Sequence, residues 1–221
     1  MKRVLVLRPE PGATATVEHA RRRGLDAVAL PLFEIECVEW KVPAASDFDG
    51  LLLTSANALR CGGRQLQTLR SLPVYTVGNA TAEAAREAGF GVADTGDAGV
   101  DRLLKSIDPK LSLLHLSGED RRAPTTPKQA ITSITVYRAR LRYDLDLSSV
   151  DHCVALAHSP RAARRFAELV DKKSSITIAA ISLEAAHAAG DGWAAVEAAA
   201  QPNECALLAL TERLCNKAPA T

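Results

Sequence analysis

The sequence is poor in aromatic residues, at 4% of the chain, and no apolar stretch approaches the about 18 residues of a membrane span. A membrane-spanning protein is therefore not expected. Cys37, Cys61, Cys153, Cys205 and Cys215 include no Cys-x-x-Cys pair, and the five histidines include no His-x-x-x-His pair. That spacing argues against a zinc site. The odd cysteine number argues against a disulfide framework and for a reducing compartment. A surplus of one charge is missing too: Lys plus Arg is 27 and Asp plus Glu is 26, for a formal net charge of +1. Dedicated nucleic-acid binders carry a basic excess, so no nucleic-acid partner is expected, and any anion must be held locally. The start, from Met1 to Arg8, turns polar too early for a secretory signal, so a cytoplasmic protein is expected. No G-x-G-x-x-G, P-loop or G-x-S-x-G occurs, which removes the commonest uses of an α/β sheet. No metal and no cofactor is expected.

What is present is an ordinary globular balance over 221 residues, 47% hydrophobic and 24% charged. At roughly 150 residues per domain, one large or two small domains fit. Strand and helix signals alternate. Val4–Leu7, a helix over Thr14–Arg23 stopped by Gly24, and Ala27–Leu30 form a βαβ unit, which implies a parallel sheet. The unit recurs: Leu51–Leu53 leads into a helix over Ala56–Leu69, Val74–Val77 into one over Ala80–Ala88, and Leu113–Leu116 follows. Later, Val154–Ala157 precedes a helix over Arg161–Val170, Ile176–Ile181 precedes Glu184–Ala189, and a last helix covers Cys205–Cys215.

Two segments break the alternation. Phe33–Trp40 alternates apolar and acidic residues, and Ile134–Leu141 alternates apolar and basic ones. Both read as exposed antiparallel strands, and their opposite charges suit cross-strand pairing. They predict a two-stranded antiparallel connector over 35–40 and 134–141. A domain inserted at 41–133 then interrupts a discontinuous one made of 1–34 and 142–221. A loose repeat, Asp49–Asn57 against Asp151–Pro160, supports two similar α/β domains facing each other across a cleft. In such sheets ligands sit outside the carboxyl ends of the strands.

The candidate site residues follow from that rule. Thr54-Ser55-Ala56-Asn57, Gly78-Asn79-Ala80-Thr81 and His158-Ser159-Pro160 each follow a buried strand and open a helix. Helix capping explains such residues one at a time. Several such turns around one cleft would also present N–H groups to carboxylates or phosphates. Arg8, at the end of the first strand, is either a solvated cation or a cleft group for an acidic substrate. Tyr137 is either a half-buried strand residue or a proton donor beside the cleft. The run Glu119-Asp120-Arg121-Arg122 reads as solvated surface, and His158 is better placed than the other histidines.

The order and spacing of Val6-Leu7-Arg8-Pro9, Leu30-Pro31-Leu32-Phe33-Glu34-Ile35, Leu53-Thr54-Ser55-Ala56-Asn57-Ala58, Val77-Gly78-Asn79-Ala80-Thr81-Ala82, Ser133-Ile134-Thr135-Val136-Tyr137-Arg138 and Ser159-Pro160 resemble the uroporphyrinogen-III synthase family over nearly the whole chain. The resemblance implies two flavodoxin-like α/β domains with parallel sheets and a cofactor-free lyase. It would close the linear tetrapyrrole hydroxymethylbilane to uroporphyrinogen III, inverting the last ring with loss of water. It implies Tyr137 as the acid and puts Ser55, Asn79, Thr81 and Ser159 at the substrate-facing turns; together with Arg8, Asn57, Ala80, Gly118 and Ser182 these make up the expected substrate-binding set. A monomer that receives its substrate from the upstream deaminase is the expected form. The alternative left open by the residues themselves is a non-catalytic two-domain binding or sensor protein for a small polyanion.

Overall fold

The computed structural model describes residues 2–97, 99–121, 123–148 and 150–216; Arg122 of the charge run lies outside them. The chain opens with β1 (Val4–Val6), α1 (Gly12–Arg22), β2 (Ala27–Ala29) and β3 (Phe33–Cys37). It continues through β4 (Gly50–Leu53), α2 (Asn57–Cys61), β5 (Val74–Val77), α3 (Asn79–Glu87), β6 (Val92–Gly96), α4 (Val100–Ser106), β7 (Ser112–Gly118) and β8 (Ala130–Leu141). The last part holds β9 (Val154–Ala157), α5 (Pro160–Leu169), β10 (Thr177–Ala180), α6 (Leu183–Ala189), β11 (Ala195–Ala198) and α7 (Glu204–Asn216). The residues form two compact units, Met1–Glu34 with Leu141–Thr221, and Ile35–Arg140.

The first sheet has the order β11-β10-β9-β1-β2 with every neighbouring pair parallel. Counted in chain order this is 2-1-3-4-5, the flavodoxin arrangement. Its inner strands β1, β9 and β10 are wholly buried, and strands covered on both faces must read as unbroken apolar runs. Val4, Val6 and Leu156 pack with Ala13, Val17 and Ala20 of α1 and with Leu207 and Leu214 of α7. Strand periodicity sends Leu5, Ala155 and Ile178 to the opposite face.

The second sheet has the order β3-β8-β7-β4-β5-β6, parallel from β8 through β6. Its five parallel strands run 3-2-1-4-5, so the flavodoxin-like order expected twice occurs once. The sheet is also mixed rather than parallel throughout. Val38 N donates to Val136 O and Arg142 N to Leu32 O, both at 3.0 Å. One index rises as the other falls, so β3 runs antiparallel to β8. Leu51, Leu53, Leu114, Leu116 and Val136 pack with Ala58, Leu66 and Leu69, while Leu52 and Leu113 meet Leu103 and Leu104 of α4. Across β3 and β8, Arg138 Nε and Nη2 bind the two Glu36 carboxylate oxygens at 2.8 and 3.0 Å, and Arg140 joins them. The Arg138 hydrogen bonds hold the Glu36 carboxyl below its usual range.

Several expectations are corrected. The strand expected over Ile134–Leu141 as an isolated connector begins at Ala130 and pairs parallel with β7, from Ser112↔Ala130 to Gly118↔Tyr137. Its Val136 is fully buried in the sheet core. The single helix expected over Ala56–Leu69 stops at Cys61, and a 3-10 segment covers Arg64–Leu69. Gly62 caps α2, Gly63 turns at φ +69, and a Cβ on Gly62 would overlap Leu66. The expectation of no disulfide fails: Cys37 and Cys61 are bonded, with Cα atoms 4.9 Å apart. The cysteine pattern therefore does not argue for a reducing compartment. β3 and α2 bring the two together over a separation of 24 residues, which no local spacing signals. Among the described residues, no helix is long and apolar enough to cross a membrane.

Candidate functional site

In an open α/β sheet, the strand order reverses at one point, and the loops there leave a crevice at the carboxyl ends. In the first sheet the reversal lies between β1 and β9. Val6 is level with Leu156 and Ala157 with Ala180. Two residues further along each strand, Arg8 reaches the level of His158, and Ser159 that of Ser182. In the second sheet the reversal lies between β4 and β7. Leu53 is level with Leu116 and with Thr76, so Ser55 reaches the level of Gly118 and of Gly78. Gly118 in turn pairs with Tyr137. Register thus gathers Arg8, Ser159 and Ser182 at one sheet's carboxyl edge, and Ser55, Gly118 and Tyr137, with Asn79 just beyond Gly78, at the other's.

Each of these residues has local work. Ser159 Oγ accepts from Ala162 N at 3.1 Å, and Ser182 Oγ from Ala185 N at 3.3 Å. Both are helix N-caps, the function that capping alone predicts, and each hydroxyl proton remains available to donate. Ser159→Ala is expected to lower stability by about 1 kcal/mol, read as a shift of the denaturant midpoint with an unchanged slope. Ser55 Oγ accepts from Asn57 N at 3.2 Å, and Asn57 Oδ1 accepts from Arg60 Nη1 at 2.9 Å. At α3 the N-cap position is Gly78, with φ +81 and no side-chain cap. The amides at Asn79 and Ala80 thus open a nine-residue helix without a capping side chain. Thr81 is buried, at 6% exposure, so its side chain packs within the unit.

Arg8 is held from two sides. Its Nη1 lies 3.4 Å from Thr16 Oγ1 and 3.6 Å from Glu204 Oε2. A Cβ on Gly12 would come within 2.6 Å of the Arg8 guanidinium, so only glycine leaves the side chain this position. Gly118 plays the same part for Tyr137. A Cβ there would stand 2.7 to 3.0 Å from three atoms of the phenol, the hydroxyl oxygen included. Glu119 N donates to Tyr137 O at 2.9 Å, just past a register shift between Ser117 and Gly118.

Two histidines carry more than sequence reasoning assigned. His115, on β7, is buried; its Nε2 is 3.2 Å from Thr54 Oγ1 and its Nδ1 3.3 Å from Ser133 Oγ. It fixes the residue preceding Ser55, and a histidine inside the apolar run Leu113–Leu116 was its only signal. His158 has both ring nitrogens buried without a hydrogen-bond partner. Burial, and then Arg121, pushes His115 down to about 4. Burial, and then Arg8, pushes His158 down to about 3. Both are neutral in the folded protein, while the unfolded chain takes up protons near 6.5. Their contribution to stability is therefore complete above that pH and is lost as pH falls toward 4. Thermal melts between pH 7 and pH 5 should show the decline, and His115→Gln with His158→Gln should flatten it. A flat wild-type profile would contradict buried neutral imidazoles.

The family model for uroporphyrinogen-III synthase HemD matches residues 14–209. Among solved structures, the uroporphyrinogen-III synthetase of Helicobacter pylori 26695 superposes with a TM-score of 0.66 at 19% identity, covering 97% of this chain and 100% of that one. A mutant uroporphyrinogen III synthase of the extremely thermophilic bacterium Thermus thermophilus gives 0.52 at 15% identity, over 98% and 100% of the two chains. At these identities the structural likeness speaks for the fold. No curated protein sequence matches the chain significantly.

Proposed function

Because this chain belongs to the uroporphyrinogen-III synthase family, by a match over residues 14–209, we propose that it closes hydroxymethylbilane to uroporphyrinogen III. It does so as a cyclising lyase that releases water. That match is the observation carrying the reading, and the strand-end placement of the candidate residues supports it. The substrate bears acetate and propionate groups on every ring, so it is a polyanion. A nearly neutral protein can hold it with Arg8 and with the amides of Asn79 and Ala80. The two-domain reading, with β3 and β8 as connector and a substrate cleft, belongs to the same proposal. So do a monomeric state and delivery of substrate by the upstream deaminase.

In this mechanism the Tyr137 hydroxyl gives its proton to the departing hydroxyl of the hydroxymethyl group, which leaves as water. The remaining azafulvene cation is attacked by the substituted carbon of the terminal ring, giving a spiro intermediate. That intermediate fragments and recloses with the ring inverted, and the proton lost from carbon restores the phenol. Uncatalysed closure occurs at the free carbon and gives the symmetrical isomer. The protein's main contribution is to hold the chain folded with the wrong carbon out of reach, a positional effect. Acid assistance adds about 10²–10⁴-fold in general.

Coupled synthesis from porphobilinogen and its deaminase, with the isomer ratio read after oxidation, tests this. Adding the protein should turn the product from the type I to the type III isomer. A folded protein that leaves type I as the sole product would overturn the proposal and favour a binding role.

A further inference from the structure

We infer that the Cys37–Cys61 disulfide is a thiol-exchange site that takes a small anionic thiol. The bond is open to solvent: Cys37 is exposed at the end of β3, and Cys61 is partly exposed at the end of α2. Both line a cavity of about 680 Å³ together with Trp40, Lys41, Arg64 and Glu39. Two cations against one carboxylate make the mouth net positive, while the nearby Glu36 is engaged by Arg138 and Arg140. Exchange requires a thiolate with access to one sulfur of the bond, and positive charge at the mouth raises the local concentration of an anion.

The chain's own buried thiols are poor attackers. Burial raises the Cys153 thiol to about 11 and shifts the Cys215 thiol upward as well, which leaves little nucleophilic thiolate. The attacking group is therefore neither of these two, and an external thiol takes that part. Its sulfur bonds to Cys37 or Cys61, the disulfide breaks, and the other cysteine leaves as a thiolate that takes up a proton. A second thiol then attacks the mixed disulfide, releasing the oxidised small molecule and leaving both cysteines reduced. Two external thiols supply the two electrons.

Opening the bond has a defined structural effect. Trp40 Nε1 donates to Gly62 O at 3.1 Å, and Gln65 Nε2 donates to Trp40 O at 3.0 Å. After exchange these hydrogen bonds hold the end of α2 to the segment after β3 without the covalent tie. The five-residue helix that begins at Asn57 loses its covalent anchor and keeps these hydrogen bonds.

The test uses the full chain carrying Cys205→Ser, which removes the exposed free thiol. Glutathione, a tripeptide thiol with two carboxylates, is compared with cysteamine, which is cationic, at equal thiolate concentration and low ionic strength. Alkylation and peptide mass spectrometry follow the products. Glutathione should form mixed disulfides at Cys37 or Cys61 roughly tenfold faster, and amide exchange over residues 57–61 should rise once the bond opens. Lys41→Ala with Arg64→Ala should erase the preference while leaving the disulfide intact. Free thiols at both positions in the isolated protein, no reaction with glutathione, or equal rates for the two thiols would each overturn the inference.

Discussion

Replacing Tyr137 with phenylalanine should lower turnover by about 10²-fold or more while leaving the protein folded. The ring stays, so its packing against the core of the second sheet stays with it. Only the hydroxyl, the proposed proton donor, disappears. The type III isomer should still dominate whatever product is enzymatic, because folding of the substrate is assigned to other groups. Ser55→Ala should cost less, since its hydroxyl serves a local turn and the neighbouring backbone donors remain. The measurement is a single-turnover rate with the isomer ratio beside it and a melting temperature as folding control. Wild-type turnover in a folded Tyr137→Phe protein would remove the phenol from the chemistry.

Gly118→Ala should cost about 10–10²-fold in turnover through displacement rather than removal. The added methyl would sit 2.7 Å from Tyr137 Cε2 and 3.0 Å from its hydroxyl oxygen. Strand backbone at Gly118 accepts any residue, so the side chain opposite must give way. In the proposed mechanism, a ring moved by part of an ångström carries its hydroxyl away from the leaving group. The double variant distinguishes the causes. If Gly118 acts through the phenol, adding Gly118→Ala to Tyr137→Phe changes turnover little further. Fully additive losses would instead place the effect on the substrate itself.

The sequence made the inner strands legible because burial on both faces demands it. β4 and β9 are wholly buried and read as uninterrupted apolar runs. β6 and β11 were missed. They are the sheets' outer strands, partly exposed and rich in Ala, Asp, Glu and Thr, and such positions need no apolar run. The helix α4 after β6 went with it. For the candidate site, the strand-end rule pointed to Arg8, Ser55 and Ser159, since each follows a recognisable strand, and register places all three at strand ends. Contacts distant in sequence left no trace: His115 with Thr54, separated by 61 residues, and the disulfide both depend on register. The glycines at 12 and 118 were equally silent about the side chains they accommodate.

Val4 finds its β9 neighbour, Val154, only 150 positions further along the chain. During synthesis β1 and β2 therefore emerge early and wait as a pair with one central edge open, while Ile35–Arg140 carries five parallel strands that need no later residue. The inserted unit can complete itself on the ribosome; the outer one cannot. Such distant pairing slows folding and leaves an unpaired strand edge exposed in the meantime. The chain path thus favours an order of assembly in which Ile35–Arg140 closes first and β1 gains its second strand neighbour later.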